Sequence, residues 1–277
     1  MIRIKYGAAM KVDRFLARHP VFTWDEFAAF CAAGGTQGLR SAEALLAYHV
    51  KAGNLLRARR GLYATVPPGM SPDAAPVDPY LLATRSTDDA ALAYHTALEV
   101  HGVAYSAYER VLFVTRHASR PWSFRSVEYR PVAVPRALLE KDAADAQVTT
   151  VDRAGLDARV TTLERTMVDV LARPELGGGW EELWRSLEAV SFFDLEAVIK
   201  YALLLDNSTT AAKVGFFLEQ HMEALSVDEV HLQRLRAYAP RHPHYVDRNA
   251  DGDNTFLRGW NLVVPTALVT RSWQEVA

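Results

Sequence analysis

The stretch Leu55-Leu56-Arg57-Ala58-Arg59-Arg60-Gly61-Leu62-Tyr63-Ala64-Thr65-Val66 decides the reading of the fold. Two short apolar runs flank a turn at Arg59-Arg60-Gly61, where glycine supplies the positive φ that closes a hairpin. Three helical patterns lie upstream. Lys11 to Arg18 puts Val12, Phe15 and Leu16 on one side and stops before Pro20. Thr23-Trp24-Asp25-Glu26 is a capping box, in which the hydroxyl and the carboxylate each satisfy a free amide of the first turn. The helix it opens runs to about Ala33 with Trp24, Phe27, Ala28 and Cys31 as its apolar stripe, and Gly34-Gly35 ends it. A third helix runs from Thr36 or Gly38 to Ala52, with Gly53 as its stop. Leu39, Ala42, Leu46 and His49 or Val50 share one face of it; Arg40, Glu43, Ala44, Ala47 and Lys51 share the other. Three helices followed by a basic hairpin is the order of a winged helix-turn-helix, whose third helix enters the DNA major groove. The expected fold class is α+β: this module first, then a larger mixed α/β domain with a mainly helical second half.

Charge supports a polyanion partner for the first part. Residues 1–66 carry ten Lys and Arg against four Asp and Glu, a net of +6. Residues 67–277 carry 21 against 29, a net of −8, which returns the total of −2. Arg57, Arg59 and Arg60 at the hairpin tip can fork onto phosphate oxygens. Arg40 can reach a base edge or a phosphate, and Gln37 and Glu43 can add base-edge hydrogen bonds. These six residues form the candidate DNA-binding set read from the residues themselves.

Between the parts, Val66 to Pro79 holds five of the 13 prolines and reads as a linker. The expected domains are 1–66, a linker over 67–79, and 80–277. Beyond the linker, Tyr80 to Arg85 and Asp88 to His101 read as helices, the second with Asp88 as N-cap. Val111 to Thr115 and Phe124 to Arg130 read as strands, and Gln147 to Asp152 with Ala158 to Thr162 as a hairpin about Ala154-Gly155. A helix opens at Thr162. Trp180–Val190, Asp194–Leu205 and Ser208–Met222 continue the helical run, and Trp260 to Val264 is the last strand.

Half of the 277 residues are apolar (49%) and 23% are charged, which excludes global disorder. The single Cys31 excludes an internal disulfide framework and any Cys-rich zinc ribbon. No apolar run approaches the roughly 18 residues of a spanning helix, and the opening Met-Ile-Arg-Ile-Lys-Tyr-Gly lacks the core of a signal peptide. No membrane partner is expected, and the reducing cytoplasm is the expected compartment.

Signatures of chemistry are scarce. No Asp/Glu-x-Lys triplet and no Gly-x-x-x-x-Gly-Lys-Ser/Thr loop occurs. Gly177-Gly178-Gly179 follows a helix and a proline, so it reads as a plain loop. Asp247 to Gly252 matches the first half of a calcium loop, but Arg258 stands where the bidentate Glu is needed. His95 and His101 are six apart, and His242-Pro243-His244 has no near carboxylate. Neither a metal nor any other cofactor is expected, and the chain does not read as an enzyme. The densest polar cluster on an apolar helix is Thr162-Leu163-Glu164-Arg165-Thr166-Met167-Val168-Asp169. It reads either as a buried network or, through Glu164, Arg165 and Asp169, as a surface for a partner.

Four stretches together resemble the AbiEi family, the antitoxins of type IV toxin–antitoxin systems of the abortive-infection type. They are the hairpin Leu55–Tyr63, Tyr94-His95-Thr96-Ala97-Leu98-Glu99-Val100-His101-Gly102, Thr162 to Leu171 continuing through Arg173-Pro174-Glu175, and Trp260-Asn261-Leu262-Val263-Val264-Pro265. Each alone is weak; their order and spacing carry the resemblance, and the nine residues before Met10 fall outside it. It implies an antitoxin that binds inverted repeats in its own promoter through the winged helix, with Arg40, Lys51, Arg57, Arg59 and Arg60 as DNA contacts, and represses the operon. The C-terminal domain would counteract a nucleotidyltransferase-like toxin, either without a lasting complex or by direct neutralisation. Members tend to be monomers that bind DNA cooperatively. Two rival readings are a one-component regulator with a ligand-sensing C-terminal domain and a nuclease with an unfamiliar acidic pattern.

Overall fold

The computed structural model describes residues 12–34, 38–247 and 252–271. Helix α1 occupies residues 12–18 and packs Val12, Phe15 and Leu16 inward. Strand β1 (Val21–Thr23) leads directly into α2 (Trp24–Ala33), because Thr23 both ends the strand and caps the helix. The Glu26 amide donates to Thr23 Oγ1 at 3.2 Å and the Thr23 amide donates to Glu26 Oε2 at 2.7 Å. Helix α3 (Leu39–Lys51) follows, with Ala42, Leu46 and His49 buried. Strands β2 (Leu55–Arg59) and β3 (Leu62–Thr65) form the hairpin, and β1 adds to β3 to give the order β1-β3-β2. Strand β1 escapes a sequence reading because three residues carry no period. The core here joins Phe15, Phe22, Phe27, Cys31, Leu46, Leu55 and Tyr63.

The chain continues through α4 (Pro79–Thr84), β4 (Ala91–Leu92), α5 (His95–Val100), β5 (Arg110–Thr115), β6 (Trp122–Phe124), β7 (Val127–Ala133), α6 (Arg136–Glu140), β8 (Val148–Arg153) and β9 (Leu156–Thr161). A six-stranded sheet has the order β6-β7-β5-β4-β9-β8. The helix expected from Asp88 to His101 is a correction. Ala90, Ala91, Leu92 and Ala93 are fully buried, and Leu92 pairs with Val160 in parallel. Ladder pairing overrides the helix preference of the alanines, and Tyr94, at φ +56°, separates this strand from α5.

Then come α7 (Leu163–Ala172), a 3₁₀ turn (Pro174–Leu176), α8 (Trp180–Glu188), α9 (Leu195–Leu204), α10 (Ser208–Gln220), α11 (Glu229–Arg236), β10 (His244–Tyr245), β11 (Asn254–Leu257), β12 (Leu262–Pro265) and α12 (Thr266–Thr270). Mixed helices and sheets with a helical second half make an α+β architecture. No helix among the described residues is long and apolar enough to cross a membrane.

Two compact units emerge. One comprises the described residues up to Ala91 with Glu109–Pro131 and Thr150–Arg159; the other comprises Leu92–Tyr108, Val132–Thr149 and residues from Val160 onward. The proline-rich segment belongs to the first unit and is fastened there rather than left as a free tether. Arg125 donates to the carbonyls of Ala75 (2.7 Å) and Pro72 (2.8 Å), and Ala75 is buried. Asp78 caps α4 by accepting from the Tyr80 and Leu81 amides, and Arg153 Nε meets its other oxygen at 2.7 Å. Gly53, at φ +76°, ends α3 and has Pro72 against it, so a side chain there would meet both strain and the Pro72 ring.

In the second unit α10 packs against α7, α9 and α11 and is buried on nearly every side from Thr210 to Leu218. Gly215 lies directly under the Trp260 indole, whose Nε1 donates to Glu219 Oε2 at 2.8 Å. A β-carbon at Gly215 would overlap that ring. Gly215→Ala should therefore cost about 1–3 kcal/mol or more, the range for overpacking a filled core. Urea unfolding at neutral pH measures it; a midpoint unchanged from the parent would show that Trp260 moves aside freely.

Candidate nucleic-acid interface

The outer face of α3 and the β2–β3 hairpin build the candidate interface. Arg40, Glu43, Ala44, Ala47 and Lys51 are all exposed, because the opposite stripe of α3 is spent on the core. A groove of about 530 Å³ runs between α3 and the hairpin. Glu43, Lys51, Arg57 and Arg60 supply its charge, with Trp24 and Tyr63 among its apolar walls. Three cations against one carboxylate leave it net positive. Arg40 is exposed on the first turn of α3 and does not line the groove. Gln37 lies outside the described residues.

Arg59 leaves this set, which corrects the expectation of three equivalent arginines. The ladder shifts register between Arg57 and Arg59, so Arg57 pairs with Tyr63 while Arg59 pairs with Leu62. That bulge turns Arg59 to another side of the hairpin. Its guanidinium lies 5.4 Å above the Trp122 ring, and Trp122 in turn stacks on Tyr129 at 3.9 Å and 7°. Arg59 is half-buried, whereas Arg57 and Arg60 are exposed. Gly61, at φ +78°, permits the tight turn that makes this division.

Of the two readings of Glu164, Arg165 and Asp169, the partner surface is corrected and the buried network is what the structure has. Arg165 and Asp169 are an i,i+4 pair with 0% and 2% of their side chains exposed. Arg165 Nε donates to Asp169 Oδ2 at 3.2 Å, and Nη1 donates to the carbonyls of Ala144 (3.0 Å) and Ala146 (2.7 Å). Tyr201 donates its hydroxyl hydrogen to Asp169 Oδ1 at 2.9 Å. The pair thus ties α7 to α9 and to the loop before β8. Glu164 is half-buried and accepts from the Asp194 amide at 3.3 Å, next to the start of α9. Burial pushes the Asp169 carboxyl up against the opposing pull of Arg165 and Tyr201.

Two polar clusters have no counterpart in the sequence reading. In the first unit, Asp89 accepts from Thr115 Oγ1 (2.5 Å), Thr87 Oγ1 (3.0 Å), the Arg116 amide (2.6 Å) and Arg116 Nε (3.3 Å). Burial pushes this carboxyl up, but the hydrogen bonds from Thr115, Arg116 and Thr87 outweigh it and hold it below the ordinary carboxylate value. Asp88, Asp89 and His117 bring three metal-ligating atoms within 4.8 Å of one another, with His117 Nε2 2.7 Å from Asp88 Oδ1. The four donors on Asp89 occupy the oxygens an ion would need.

In the second unit His95 lies between Glu182 (3.1 Å) and Glu99 (3.5 Å) and meets the Tyr108 ring, tilted by 34°, at 4.1 Å. Glu182 also accepts from the amide and hydroxyl of Ser106, both at 2.8 Å. Burial raises its carboxyl, and the Ser106 and His95 contacts more than reverse that. The i,i+4 spacing of His95 and Glu99 was a signal for half of this cluster. Glu182, 87 residues on, had none.

No family model matches the chain, and no curated protein does. Among solved structures, the RV2827C protein from Mycobacterium tuberculosis is similar, with a TM-score of 0.61 and 19% identity over 96% of this chain and 94% of that one. At that identity the likeness shows the fold alone.

Two stability outcomes follow from the buried carboxylates. Arg165→Met leaves Asp169 buried without its partner and should cost about 3–5 kcal/mol, while adding Asp169→Leu should restore much of that. Urea titration of both variants checks it; a double variant no more stable than the single would show the two side chains to be uncoupled. Asp89 titrates lower when folded than its ordinary 3.8. Its stabilisation is therefore complete above that value and is lost as pH falls through the folded pKa. Asp89→Asn should flatten the decline of the unfolding midpoint between about pH 5 and pH 2; parallel curves for parent and variant would contradict the assignment.

Proposed function

We propose that this chain is a DNA-binding antitoxin that represses its own operon. In this reading residues 12–65 form a winged helix-turn-helix, α3 is the recognition helix and the β2–β3 hairpin is the wing. The observation that carries it is the groove in which Lys51, Arg57 and Arg60 converge beside the exposed face of α3. The net charge of +6 over residues 1–66 supports the same reading. Arg40, with Gln37 and Glu43, is assigned to base edges, and the three groove cations to phosphates. The ligand is duplex DNA carrying inverted repeats, bound in the cytoplasm by a monomer.

The antitoxin half of the proposal rests on the AbiEi-like stretches about His95, Arg165 and Trp260. It assigns the remainder of the chain to counteracting a nucleotidyltransferase-like toxin encoded beside it, by binding or regulation rather than by catalysis. Co-expression of the two genes should then restore growth that the toxin gene alone arrests. No rescue would remove this half and leave the repressor half standing.

For the repressor half, the salt dependence is the sharper test. If five or six phosphates are neutralised, log K for the upstream intergenic fragment should fall against log salt with a slope of about −5. Lys51→Ala, Arg57→Ala and Arg60→Ala combined should weaken operator and unrelated duplexes alike and reduce the slope by about 3. Arg59→Ala should leave the slope unchanged, since that residue does not line the α3 groove. Fluorescence anisotropy across a salt series measures all three. A triple variant that binds as the parent does would end the assignment of this groove to DNA.

A further inference from the structure

A second cleft, of about 640 Å³, lies within the first unit between the β2–β3 turn, the start of α2 and the loop after α4. Its volume is that of a site for a small molecule. Arg59, Arg60 and Arg85 line it, as does the half-buried Trp24. Arg59 Nη1 and Arg85 Nε are shielded from solvent and have no hydrogen-bond acceptor. These two atoms are enclosed by protein, so a ligand in the cleft meets the other N–H groups of the same guanidinium groups, and an oxyanion is the acceptor that matches them best.

Three carboxylates also line the cleft, and two of them are engaged. Glu26 pairs with Arg85 Nη1 at 3.3 Å through one oxygen and accepts from the Thr23 amide through the other. Asp88 pairs with His117. Asp25 is exposed on the first turn of α2, where the free amides already favour a negative charge. The unengaged guanidinium edges belong to Arg59, Arg60 and Arg85. Planar forks of this kind match phosphate oxygens, and an indole beside them offers a stacking face for a base.

We propose that this cleft binds a small phosphorylated ligand of the nucleoside-phosphate class, with its phosphates on Arg59, Arg60 and Arg85 and its base against Trp24. The inference goes beyond the DNA-binding reading and does not depend on it, because Arg85 takes no part in the α3 groove.

Isothermal titration of the full chain with inorganic pyrophosphate and with ADP tests it. Both should bind saturably, ADP the more tightly. Arg85→Ala should weaken each by about tenfold or more, the loss of one charge-assisted contact. Arg60→Ala, at an exposed turn where folding is not at stake, should do the same. Lys51→Ala should bind pyrophosphate as the parent does, and Arg85→Ala should keep the parent's affinity for duplex DNA. Circular dichroism confirms that each variant is folded. Absence of saturable binding of either probe at millimolar concentration overturns the proposal, as does unchanged affinity in folded Arg60→Ala. ADP binding no tighter than pyrophosphate overturns the nucleoside assignment. A chain that binds pyrophosphate but not DNA leaves this site standing and removes the other reading.

Discussion

A guanidinium and a carboxylate one helical turn apart, both withdrawn from water, govern the second unit. Neither Arg165 nor Asp169 could be buried alone, since an isolated charge in that setting is prohibitive. Together they draw in the carbonyls of Ala144 and Ala146 and the hydroxyl of Tyr201, and so fix three separate segments at once. Apolar packing then closes around them: α10 is immersed among its neighbours, and Gly215 makes room for the Trp260 ring. The pair specifies which helices meet; the burial of Leu, Val and Phe side chains supplies most of the driving force.

In the first unit the decisive constraint is a single irregularity. On a regular ladder Arg57 and Arg59, two residues apart, would share one face of the hairpin. The shift between Arg57 and Arg59 divides them instead. Arg57 and Arg60 join Lys51 on one groove, and Arg59 is drawn onto an aromatic stack. Arg60, next to the turn glycine, borders both clefts. A bulge of this kind shifts the register by one residue and re-aims the side chains beyond it, while the two strands stay paired.

Much of this was legible in the residues. The Thr23–Glu26 box, the glycine at 61 and the Thr162 cap each mark an element boundary through a local contact, and local contacts are written in adjacent letters. The two faces of α3 were legible for the same reason, and with them Glu43, Lys51, Arg57 and Arg60. What stayed hidden depends on distant partners. Strand β4 (Ala91–Leu92) lies in an alanine-rich stretch that reads as helix and becomes a strand only through its sheet neighbours, Val160 among them. The commitment of Arg59 needs Trp122, and the holding of Asp89 needs Thr115. For Arg165 and Asp169 a buried network was one of two readings open in the sequence; what chooses it is Tyr201 and the loop before β8, which no spacing announces.

The fastening of the proline-rich segment has a consequence for dissecting the molecule. A stretch with this composition invites cleavage or truncation at its ends, as though it were a hinge between independent modules. Here Arg125 grips its carbonyls, and Ala75 is enclosed. A fragment ending at Val66 would also strand the Arg59 cation without the indole that shelters it, so the excised piece is a different object from the same residues in place.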